Sequence, residues 1–199
     1  MKTVRLWISL PLLVTGLQLN HAVAADKGAA RPATPAESLK TPDGFKVELL
    51  RSAQPGEGSW VAMTTDPKGR LILSPQGKEP MLRLTLDGQG QIAKLENDVI
   101  PASVSGAMGL LCANDSLYVN GQGPDGYHLY RLTDTDGDDK YDKIQLLRRW
   151  DGGTGEHGAH GIVLGPDQKL YIVCVPSQPL FVCCGGFRIN QGDQCLHGV

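Results

Sequence analysis

Two short stretches of this chain carry residue types that can do chemistry. The first, Asp134-Thr-Asp136-Gly-Asp138-Asp-Lys-Tyr-Asp142, sets carboxylates at positions 1, 3, 5 and 9 of a loop. Hard oxygen ligands at that spacing can encircle calcium. The pattern departs from an EF-hand in three places: Gly137 comes fourth, Asp139 takes the usual glycine position, and Gln145 stands where a bidentate glutamate belongs. Weak calcium binding by Asp134, Asp136, Asp138 and Asp142 is one reading; the other is a solvated hairpin tip in which Asp and Gly supply turn geometry. The second stretch, Glu156-His157-Gly-Ala-His160-Gly161, follows a glycine-rich run and precedes an apolar segment. His157 and His160, three apart, point to opposite sides of an extended strand, so a two-histidine metal site would need a turn. A single histidine acting as a general base asks less of the backbone, and a merely hydrogen-bonded loop histidine asks least.

Other polar residues are less informative. Asn120-Gly-Gln122-Gly-Pro-Asp-Gly126 is glycine-rich but opens no helix, so it reads as a loop between strands and not as a phosphate cradle. Trp60 reads as core. Cys174, Cys183, Cys184 and Cys195 crowd the end of the chain while Cys112 stands alone; neither a disulfide framework, a zinc spacing nor a CxxCH haem motif emerges.

These residues need a scaffold, and the sequence supplies a repeat. The stretches 62–74, 109–120 and 161–173 share one template, an apolar run, a tight turn and a second apolar run, with starts about 50 residues apart. The turns, such as Asp66-Pro-Lys-Gly69 and Gly165-Pro-Asp167, are hairpin chemistry. Met81–Leu86 alternates strictly, and Tyr127–Leu132 and Ile144–Trp150 are apolar runs bounded by Asp and Gly. No stretch sustains a helical period. The expectation is an all-β fold: a partial β-propeller of about three four-stranded blades across 45–174, a coincidental set of hairpins in a sandwich being the alternative. Closed propellers need four to eight blades, so this ring is expected to stay open. Residues 175–199 break the alternation and read as an irregular tail, from a truncated or frame-shifted end or a loop leading into a further domain.

The 199 residues suit one domain or two small ones, with 41% hydrophobic residues, 20% charged residues and a net charge of -2. With only 6% aromatics and no basic excess, nucleic-acid binding is not expected. Lys2 and Arg5, the apolar run Leu6–Leu19 and the small residues Ala22-Val-Ala-Ala25 form a cleavable signal peptide over 1–25. Its removal takes two positive charges, shifting the net charge from -2 to -4. Residues 26–44 read as a flexible tether. A secreted or periplasmic protein with no membrane span after cleavage is implied.

From His157 to Tyr171 the chain resembles the soluble quinoprotein glucose/sorbosone dehydrogenases, six-bladed propellers that oxidise sugars. In that family a catalytic histidine lies eight residues before a Gly-Pro-Asp turn, as His157 does before Gly165-Pro166-Asp167. The longer stretch from Gly44-Phe45-Lys46-Val47 to Tyr171 is similar to large secreted bacterial membrane-bound dehydrogenase-domain proteins, which add a C-terminal haem-binding module. The resemblance implies His157 as general base, pyrroloquinoline quinone as cofactor, and a sugar or alcohol substrate. It further implies that this chain is an N-terminal fragment, inactive alone and without the haem module; a non-catalytic binding or scaffold propeller is the alternative function.

Overall fold

The computed structural model describes residues 33–150, 158–174 and 185–188. Over these the protein is all-β, the one helical element being a 3-10 turn at Ala36–Ser38. Sheet A contains β1 (Trp60–Thr65), β2 (Leu71–Pro75), β3 (Leu82–Leu86) and β4 (Ile92–Glu96) in that order. Sheet B repeats the arrangement with β5 (Ser105–Ala113), β6 (Ser116–Gly123), β7 (Gly126–Thr133) and β8 (Lys143–Arg148). Sheet C joins β9 (Ala159–Leu164), β10 (Lys169–Cys174) and β11 (Gly185–Arg188), all antiparallel. Gly185–Arg188 falls in the segment expected to be irregular and pairs with β10 from Lys169 to Ile172.

The turns follow from local chemistry. Asp66 Oδ1 accepts the N–H groups of Lys68 and Arg70, each at 2.9 Å, while Gly69 takes a φ of 76° that closes the hairpin. Asp87 repeats this with the N–H groups of Gln89 and Gln91. Between β5 and β6, Asn114 and Asp115 both sit at positive φ, 49° and 51°, as a two-residue hairpin turn requires.

Alternation along each strand then gives every sheet two apolar faces, and the sheets stack in succession. Ile72 of sheet A and Met81 just before β3 share a core with Leu110, Leu117, Val119 and Leu132 of sheet B. On the other face of sheet B, Tyr118 and Leu129 pack with Ala159, Ile162, Leu170 and Ile172 of sheet C. The first strands β1, β5 and β9 lie side by side through the stack. The result is an open succession of sheets and not a closed ring; the all-β expectation holds, with four strands in sheets A and B and three in sheet C. Trp60 is half-buried at the start of β1 against Leu73, Leu82 and Leu84. Asn120 to Gly123, expected in a loop, form the last part of β6 and pair with β7.

Candidate functional site

The aspartate loop spans the connection from β7 to β8. Asp134 accepts the N–H of Gly137 at 2.7 Å on one oxygen and that of Asp139 at 2.9 Å on the other. Asp136 accepts Asp138 N–H at 3.2 Å, and Asp138 accepts Lys140 N–H at 2.9 Å. These turns gather Asp134, Asp136 and Asp138 so that one carboxylate oxygen of each lies within 4.8 Å of the others. Asp142, the fourth expected ligand, closes the base of the loop: it accepts the N–H of Thr135 at 2.8 Å and the Thr135 hydroxyl. Those bonds favour its ionised form and lower its pKa.

Asp139 does something the sequence did not announce. Held at φ 71°, it turns out of the loop onto sheet A, pairing with Arg70, with Lys68 at 2.9 Å and with Arg83 at 3.3 Å. The Arg83 guanidinium, 3% exposed, also donates to the Asp139 carbonyl at 2.7 Å and to both Glu96 oxygens at 3.1 Å. The hydrogen bond from Arg70 holds the Asp139 carboxyl well below the ordinary carboxylate range. That from Arg83, with help from Lys94, brings Glu96 to about 2. A cleft of about 280 Å³ between the sheets is lined by Asp66, Lys68, Arg70, Arg83, Asp134 and Tyr141. Cys112 is half-buried, and desolvation raises its thiol to about 11, which favours the protonated form.

His157, the expected base, and Glu156 lie outside the described residues. The lead into β9 just after them is firmly held. Tyr127 donates its hydroxyl to the Ala159 carbonyl at 3.2 Å, and Asn120 donates Nδ2–H to the His160 carbonyl at 2.7 Å. Gly109 permits this approach, since a Cβ there would stand 2.0 Å from the His160 oxygen. The Asn120 side chain is fully buried and its Oδ1 has no hydrogen-bond partner among the described residues. Its role was hidden because the glycine-rich context of 120–126 signalled only a turn.

No protein-family profile matches this chain, and no curated protein matches it. Among solved structures it aligns with the iodide structure of Trichoderma reesei carbohydrate-active enzymes family AA12, at 15% identity and a TM-score of 0.48, over 66% of this chain and 33% of that one. The calcium structure of the same family aligns at 14% identity and a TM-score of 0.41, over 59% and 29%. The chain thus spans about a third of the length of these structures. The resemblance to glucose/sorbosone dehydrogenases and membrane-bound dehydrogenase-domain proteins is corrected by these findings. Neither family is matched, and among the described residues the open antiparallel sheets hold nothing particular to a quinoprotein glucose dehydrogenase. The local likeness rested on a histidine and a Gly-Pro-Asp hairpin turn, and such turns are dictated by backbone geometry in many β proteins. Among the described residues no helix is long and apolar enough to cross a membrane.

Proposed function

We propose that this chain is a scaffold segment of a propeller, stabilised by calcium at Asp134, Asp136 and Asp138, with Asp142 bracing the loop. The carrying observation is the convergence of three carboxylates within 4.8 Å, on a loop whose next residue, Asp139, fastens sheet B to sheet A. Calcium would neutralise three mutually repelling charges and stiffen the loop that presents Asp139. Calorimetric titration with calcium tests this: a heat of binding that Asp136→Ala abolishes is expected, and no heat with the wild type leaves the loop a turn.

A second reading is that the scaffold serves an exported oxidoreductase acting on a sugar or alcohol, in which His157 would take the hydroxyl proton while the carbon-bound hydride passes to a redox cofactor held by the complete protein. It is favoured by the pinning of the adjoining Ala159 and His160 carbonyls from sheet B, which gives the histidine segment a fixed base. The cleft does not fit pyrroloquinoline quinone, whose carboxylates call for unpaired cations: Lys68, Arg70, Arg83 and Lys140 there are engaged by Asp66, Asp139, Glu96 and Asp98. In a complete polypeptide carrying this segment, His157→Ala is expected to cut substrate-dependent dye reduction by about 10²–10⁴-fold. His160→Ala should have the smaller effect; equal, small effects would remove the catalytic reading.

A further inference from the structure

The two junctions between stacked sheets are built on the same row of residues, and one of them lacks a part. In sheet A the cross-strand row is Ile72, Arg83 and Glu96, and Ile72 belongs to the core shared with sheet B. Arg83 is closed there by two carboxylates, Glu96 of the neighbouring strand at 3.1 Å and Asp139 from the β7–β8 loop of the next sheet at 3.3 Å. In sheet B the matching row is Tyr118, Arg131 and Gln145, and Tyr118 belongs to the core shared with sheet C. Arg131 thus stands where Arg83 stands. The glutamate is replaced by the neutral Gln145, and among the described residues no carboxylate lies within 4.0 Å of the half-buried Arg131 guanidinium. Its Nε–H donates to Ser116 Oγ at 2.8 Å, and Ser116 donates to the Asn114 carbonyl at 3.0 Å, which leaves the Nη–H groups without an acceptor among the described residues. The Tyr118 side chain is fully buried, and its hydroxyl has no hydrogen-bond partner among the described residues. Burial raises the pKa of that hydroxyl against the opposing pull of Arg131, Asn114 and Ser116 beside it, so it stays a donor.

We infer that Arg131 and the Tyr118 hydroxyl form a carboxylate-binding site at the junction of sheets B and C, the counterpart of the Arg83 site at the junction of sheets A and B. A half-buried guanidinium has lost part of its hydration, and a carboxylate offsets that loss through paired N–H···O bonds that match its fork. A neutral amide such as Gln145 leaves the charge uncompensated. Two sources can supply the group. One is the chain itself: Asp139 stands six positions beyond the end of β7, and the stretch beyond the end of β11, the corresponding strand of sheet C, carries one acidic residue, Asp193, five positions on and outside the described residues. The other is a small free carboxylate.

Urea unfolding of the full chain at neutral pH, in sodium acetate or in sodium chloride of equal ionic strength, tests both the site and its source. With Asp193 as the source, Arg131→Gln and Asp193→Asn each lower the folding equilibrium constant by about threefold to tenfold, and the double variant lowers it no further than either alone. Acetate then restores Asp193→Asn but not Arg131→Gln. With a free carboxylate as the source, Asp193→Asn is silent, while acetate raises the wild-type folding constant above its value in chloride; that rise disappears in Arg131→Gln and shrinks in Tyr118→Phe. A local readout separates binding from packing: in Asp193→Asn the Arg131 Nε–H resonance should move saturably with acetate and stay put with chloride. Additive losses in the double variant together with no acetate effect that depends on Arg131, or an Arg131 resonance indifferent to acetate in Asp193→Asn, would overturn the inference.

Discussion

Asp139 joins the two larger sheets, and its value depends on charge. Arg83 is nearly fully buried, and its desolvation cost is offset by two carboxylates, Glu96 of its own sheet and Asp139 from the loop of sheet B. Asp139→Ala is expected to lower unfolding free energy by about 1–2 kcal/mol in urea titrations, a figure discounted for the partial exposure of Asp139. Lys68→Ala, which removes an exposed cation from the same carboxylate, should cost less than about 0.5 kcal/mol. The pH dependence follows from the lowered pKa values. Glu96 falls from 4.5 to about 2 on folding, and Asp139 falls below 3.8. The unfolded chain therefore binds more protons in acid; the stabilisation is complete above about pH 5 and is lost as pH drops towards 2. Melting temperatures should be level above about pH 5 and fall below it, with Glu96→Gln flattening part of that fall. None of this was legible in the sequence, where Asp139 read only as a departure from a calcium-loop pattern. Its partners Lys68 and Arg70 lie 71 and 69 residues away.

At the scale of strands, local rules carried far. The period-two runs placed β3, β7 and β8 within a residue or two, and the Asp-x-x-Gly turn placed β1 and β2. They missed β4, whose Ile-Ala-Lys-Leu-Glu is too polar to signal a strand and is held by its ladder to β3. They also missed the end of β6, where Gly121 is required because a Cβ would stand 2.9 Å from Ala107 Cα. Close approach between strands, within a sheet or across sheets, cannot be inferred from composition. Gly109→Ala should therefore be costly, by about 1–3 kcal/mol or more in urea unfolding, since the new methyl meets the His160 carbonyl. Leu132→Ala, in the fully buried core between sheets A and B, should cost about 2–5 kcal/mol through lost contacts and a residual cavity.

For the whole molecule, the basic start, apolar run and small-residue end predict export, with mass spectrometry of secreted protein showing an N-terminus just after Ala24 or Ala25. Recovery of a product that retains Leu6–Leu19 would mean an uncleaved anchor. The sequence by itself determined the all-β class, the repeat of about 50 residues and the aspartate loop, because alternation and turn chemistry are properties of neighbouring residues. Only the tertiary structure decided that the sheets stack through two separate cores, that Asp142 braces the loop while Asp139 leaves it, and that Asn120 pins the start of β9. Those contacts join residues tens of positions apart, and their energy comes from burial and charge pairing that exist only once the sheets have met.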